Sequence, residues 1–247
     1  GQGHRRGAEG PLRRLTAKRF YQSADAVPGQ EGFAIQLDGR PVRTPAGNAL
    51  DLTTGALARA IAAEWSAQGD EIRPQSMPLT GLANAAIDRM GADRESVCQQ
   101  ALKFAAADLL CYRAGDSEEL AERQQALWQP LLEWAGDTYG ARLNVTSGIV
   151  HVDQPGEALE ALRVAVEALD DFQLAALSCA VPALGSLVLA LALLNGRIGA
   201  EEAFQASQLD ETYQAEKWGE DEAAAARAQA LKGDIEAAAE FLELAKG

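Results

Sequence analysis

At 247 residues the chain has room for one large domain or two modest ones. Its 47% hydrophobic and 23% charged composition is that of a water-soluble globular protein able to bury a core without disulfide or metal staples. The formal charge of −14 excludes a nucleic-acid partner held through its phosphates, which requires clustered Lys and Arg.

The charge is unevenly spread. Arg5, Arg6, Arg13, Arg14, Lys18 and Arg19 face only Glu9, a net +5 over the first 19 residues, so the rest of the chain carries −19. With glycines and no apolar run, this start is not a secretory signal, and residues 1–17 are expected to form a disordered basic arm. Lys18 to Tyr21 can then add a strand. Phe33, Ile35 and Leu37 alternate with period two, Asp38-Gly39 marks a turn, and Val42 to Thr44 is expected to return as the partner strand.

Helical spacing begins behind Thr53 or Thr54, with Leu57, Ala58, Ile61, Ala62 and Trp65 on one face. Trp65, ending that apolar face, is assigned a stability role rather than a partner contact. Pro74 and Pro78 predict an extended stretch over residues 72–78, after which Leu79 to Met90 is helical again. Asp93 is a candidate cap for a helix through Val97, Ala101 and Ala105. Residues 118–135 form a further helix in which Pro130 marks a kink or a new start, and 144–152 an extended crossing. Residues 157–169 are amphipathic.

Residues 174–194 contain no charged side chain and reach the length of a membrane span. Pro182 and Gly185 point instead to two short buried helices, with the break near Val181. The Ala- and Glu-rich end, 201–247, is helical with a break expected at Lys232-Gly233-Asp234. The fold class is therefore α+β: a β-rich N-terminal domain with one or two helices over 18–92, followed by an all-helical domain over 93–247 arranged as an orthogonal bundle.

Little in the sequence supports catalysis. Cys98, Cys111 and Cys179 form no CxxC pair and sit among apolar or small neighbours, as inert reduced thiols do. Of the two histidines, His4 lies in the arm and His151 sits between valines without a GxSxG motif anywhere, so His151 is assigned a structural place. There is no metal-ligand spacing, no GxxxxGK[ST] loop and no GxGxxG after a strand, so no metal and no cofactor are expected. The abundant reactive type is carboxylate: Asp210, Glu211, Glu216, Glu220, Asp221 and Glu222 surround Trp218. On a helix Glu211 and Glu216 share a face poorly, whereas Asp210 with Tyr213, or Lys217 with Asp221, share one well. A solvated helix face explains such a cluster more simply than an acid–base pair.

Several segments together resemble a known family. Lys18 to Tyr21, Leu37 to Pro45, Glu64 to Gln68 and Met77 to Asp88 resemble N-terminal blocks of the assembly chaperones that hold the unassembled α subunit of F1 ATP synthase. Asp108 to Arg113, Trp128 to Ala135, Gly185 to Ala192 and Leu209 to Asp221 resemble its helical half, so the match runs in order from about residue 18 to 227. The resemblance implies a chaperone without turnover, working in a bacterial cytoplasm, or in the mitochondrial matrix for a processed eukaryotic member. Its implied partner is the F1 α subunit, with no membrane insertion. The functional acids of the closing block map onto Asp210, Glu211, Glu216, Asp221 and Glu222, with Glu211 and Glu216 favoured. Tyr213 and Trp218 are candidate anchors, since interface cores favour such residues; for Trp218, core packing is an equal alternative. The rival functions are an acidic binding module with another partner and, further off, a carboxylate hydrolase.

Overall fold

The computed structural model describes residues 17–246. The basic arm expected over 1–17, His4 included, lies outside them except for Ala17. Strand β1 (Ala17–Lys18) pairs antiparallel with β5 (Glu71–Ile72), and so does not join the hairpin. The expected strand at Lys18–Tyr21 stops early because Tyr21 turns inward, its hydroxyl donating to the Trp65 carbonyl at 2.7 Å. A three-stranded antiparallel sheet follows, in the order β2 (Ala24–Pro28), β3 (Phe33–Leu37), β4 (Arg40–Pro41).

The β3–β4 turn is two residues long, with Asp38 and Gly39 both at positive φ, as a twist-matched hairpin requires. Pairing therefore resumes at Arg40, not at Val42; Val42 adds one more bond, its N–H to the Ile35 carbonyl at 2.8 Å.

Helix α1 (Gly55–Ser66) starts at Thr54, whose hydroxyl accepts from Leu57 N at 3.0 Å, and buries Leu57, Ala58, Ile61 and Ala62. Trp65 is half-buried, edge-on to Tyr21 at 5.7 Å. The stretch expected to be extended instead makes a tight 3-10 turn at Pro74–Ser76 and enters α2 (Pro78–Asn84) directly, because proline suits the first helical position. Glu64 of α1 caps α2, accepting from Leu79 N, Thr80 N and Thr80 Oγ1 at 2.7, 2.8 and 2.6 Å.

A π-helical turn, Ala85–Arg89, joins α2 to α3 (Met90–Ala106), which bends at Asp93. Beyond a 3-10 turn at Leu109–Cys111, β6 (Tyr112–Arg113) pairs in parallel with β7 (Thr146–Ser147). Between them α4 (Glu118–Tyr139) runs through Pro130 without a new start, because Trp128, Leu131, Leu132 and Ala135 anchor both sides of it in the core.

The remaining elements are α5 (Gly156–Glu167), α6 (Asp171–Leu184), α7 (Leu187–Leu194), α8 (Ala200–Ser207), α9 (Leu209–Trp218) and α10 (Glu222–Ala245). The uncharged segment is the α6–α7 pair at the centre of the core, and no helix among the described residues is long and apolar enough to cross a membrane. The break falls at left-handed Gly185, not near Val181: Pro182 lies in the last turn of α6, so the helix has only residues up to Leu184 left to make.

Nor is α10 interrupted at Gly233. A helical glycine costs about 1 kcal/mol, and the burial of Ile235, Ala238, Phe241 and Leu242 against α6 outweighs it, with Phe241 stacked on Phe172 at 5.7 Å. One contiguous core extends from Ile35 to Leu242.

Asp108 is fully buried and ties the 109–111 turn to α7, accepting from Leu110 N and Val188 N, each at 3.1 Å. Burial pushes its carboxyl up to about 6. Burial also raises all three thiols, Cys111 to about 12 and Cys179 to about 11, so none is a ready nucleophile.

Candidate partner-binding site

The closing acidic block folds as α9 and the start of α10, with α9 lying against the first half of α4. Helix α9 is short and only Tyr213 is buried on it. The Tyr213 hydroxyl lies 2.9 Å from Ser117 Oγ, the N-cap of α4, and donates to Glu119 Oε2 at 3.3 Å. Arg123 and Lys217 flank its ring at 5.3 and 5.2 Å from the centroid.

Two ion pairs fasten α9 to α4: Arg123 Nη1 with Glu216 Oε2 at 2.8 Å, and Lys217 Nζ with Glu119 Oε2 at 2.9 Å. The Lys217 bond holds the Glu119 carboxyl below its usual range, and Glu216 raises Arg123. At the other end Gln124, fully buried on α4, donates from Nε2 to Asp210 Oδ1 at 2.7 Å while its Oε1 accepts from Ala114 N at 2.7 Å. Asp210 and Tyr213 therefore do share the face that meets α4.

Lys217 and Asp221, which one continuous helix could set on a common face, lie on separate helices and do not pair. Gly219, at φ 90° and ψ 160°, ends α9, and Asp221 caps α10 instead, accepting from Ala224 N at 3.1 Å. Lys217 turns to Glu119.

The predicted residues thus separate into two groups. Asp210, Tyr213 and Glu216 are engaged in holding α9 on α4. Glu211, Trp218 and Glu222 face solvent, and Asp221 is exposed while it caps α10. Trp218 is 75% exposed, so it is not a core residue. Its indole stands at the C-terminal end of α9, before Gly219, and the exposed Glu220, Asp221 and Glu222 follow it in the chain. An exposed indole on an acidic segment can seat in an apolar pocket with a basic rim.

Sequence reasoning missed Ser117, Glu119, Arg123 and Gln124. The i,i+4 spacing of Glu119 and Arg123 signals their own pair, which forms at 2.9 Å. Nothing local shows that both side chains also reach a helix more than 90 residues away. His151 is exposed, 3.3 Å from the Tyr112 hydroxyl and 3.2 Å from Asp153, a loop brace rather than a buried residue. Among the described residues no three His, Cys, Asp or Glu side chains converge as metal ligands.

The chain as a whole is similar to known proteins. The family model described as ATP12 chaperone protein matches residues 18–136. The crystal structure of Atp12 from Paracoccus denitrificans superposes with a TM-score of 0.87 at 41% identity, over 93% of this chain and 98% of that one. A structure of an aspartate-to-lysine mutant of the same bacterium's Atp12p gives the same TM-score at 40% identity. The mitochondrial protein atp12 of Schizosaccharomyces pombe is 28% identical over 224 residues, covering 86% of this chain and 77% of the relative.

Proposed function

The chain belongs to the ATP12 chaperone family, and from that premise we propose that it holds the unassembled α subunit of F1 ATP synthase until the α/β hexamer forms. A free subunit exposes apolar surface meant for its neighbours, and such surface aggregates. Covering it reversibly lowers the concentration of the sticky form, and the β subunit releases it by competing for overlapping surface. No turnover and no nucleotide enter this scheme. The work is placed in the bacterial cytoplasm, or in the mitochondrial matrix for a eukaryotic chain.

The observation that carries the reading is the exposed Trp218 at the end of a helix fastened to α4 by polar contacts, on a segment that also exposes Glu211 and Glu222. Trp is enriched among the residues that dominate binding energy at interfaces, so an indole exposed in the free chain is suited to being covered by a partner. Trp218 is the anchor, and Glu211 and Glu222 are the rim charges.

Titration of purified α subunit onto the chain tests this. Trp218→Ala weakens capture by about 30-fold, the loss expected of an interface anchor at roughly 2 kcal/mol, while thermal stability stays unchanged. Unchanged capture by Trp218→Ala overturns the assignment of this site.

A further inference from the structure

A second surface, away from α9, has the build of a peptide-docking groove. It is a cavity of about 260 Å³ between α3 and α6, floored by Val97, Ala101, Phe104 and Val181. Pro182 stands exposed at its mouth and, having no N–H, leaves the Ser178 carbonyl without its helical donor. The charged residues on its lining are Arg89, in the π-helical turn, and Lys103, on α3; no carboxylate lines it, in a chain with 36 acids against 22 bases. Arg89 is steadied by Gln100, to which its Nη2 donates at 2.9 Å, and neither cation is in an ion pair among the described residues.

We propose that this groove docks an acidic amphipathic segment of a client protein, one or two apolar side chains entering between α3 and α6 while flanking carboxylates meet Arg89 and Lys103. The volume, below the usual small-molecule range, and the part-open shape favour a segment over a free small molecule. Pockets that enclose free ligands usually run about 300–1,000 Å³ and bury most of the ligand. This one is smaller and open, sized for side chains delivered on a larger surface. Charge complementarity sets the sign: an acidic segment is attracted to the two cations, and a basic one is repelled by them. The proposal rests on the chaperone reading for the source of the segment, and not on the Trp218 site.

The test uses the full chain and a fluorescein-labelled helical 16-residue peptide (about four turns), with Leu and Phe anchors spaced i, i+4 and flanked by Glu. A second peptide carries Lys at every Glu. The Glu peptide binds with a Kd on the order of tens of micromolar, and the double variant Arg89→Glu, Lys103→Glu weakens it about tenfold. The Lys peptide binds that double variant better than it binds the wild type. Circular dichroism confirms that the variant is folded. Trp218→Ala leaves peptide binding unchanged, so failure here is separable from failure at α9, and no α subunit is present in the assay. Equal binding of both peptides, binding indifferent to the charge reversal, or displacement of the peptide by decanoate at a lower concentration than the peptide itself requires would each overturn the proposal.

Discussion

Gln124→Leu tests what keeps α9 in place. Leucine nearly preserves the volume of this fully buried side chain, so no large cavity opens. Two bonds are lost: the one from Gln124 to Asp210, and the one from Ala114 N to Gln124, both at 2.7 Å. Ala114 is half-buried, so stranding its N–H costs toward the lower part of the usual range of about 1–3 kcal/mol. Asp210 is half-buried and is rehydrated in part, so its loss is nearer 0.5–1.5 kcal/mol. The exposed ion pairs Arg123–Glu216 and Lys217–Glu119 are each worth only about 0.2–1 kcal/mol and do not compensate.

The expected destabilisation is therefore about 1.5–3.5 kcal/mol by urea unfolding, a fall in Tm of roughly 4–12 °C. Hydrogen exchange in residues 209–218 should quicken more than exchange in α6. A loss below about 0.5 kcal/mol, with protection of α9 unchanged, would refute the view that the Gln124 relay docks this helix.

Trp65→Ala should cost roughly 3 kcal/mol, whereas Trp65→Phe should cost under about 1.5 kcal/mol, because the indole N–H has no hydrogen-bond partner among the described residues; equal losses in thermal melts would contradict this. Asp108 has a folded pKa raised from 3.8 to about 6, so its favourable contribution is complete below the unfolded value and is lost as pH rises through about 6. The stability of wild type relative to Asp108→Asn should accordingly fall by about 2 kcal/mol between pH 4 and 7, and a pH-independent difference in urea titrations would count against it. Gly185→Ala should destabilise by about 1–2 kcal/mol from left-handed strain alone, since the nearest side-chain atom to its added Cβ is Leu109 Cβ at 4.0 Å; a neutral result in chemical unfolding would show that the turn relaxes.

The sequence made the α+β class and the buried nature of residues 174–194 legible, because both rest on local pattern: alternation at Phe33, Ile35 and Leu37, and an apolar run punctuated by Gly185. It misplaced breaks wherever a local breaker met strong packing. Pro130 has core neighbours on both sides and Gly233 is followed at once by the buried Ile235, Ala237 and Ala238, and a cost of one to a few kcal/mol does not end such a helix. The acidic block was visible as composition and as a family resemblance. Which acids are free was not, because the commitments of Asp210 and Glu216 are made to Gln124 and Arg123, 86 and 93 residues away. The exposure of Trp218 was equally hidden, since it depends on α9 ending at Gly219 before the indole can fold back onto the core.

The central claim is most directly tested by co-expressing the chain with a cognate F1 α subunit and measuring how much α is soluble and how much is captured with the chain. The account predicts a stable soluble pair, indifferent to added ATP, that dissociates when β subunit is supplied. An α subunit that stays insoluble, or is soluble but not captured, would contradict it.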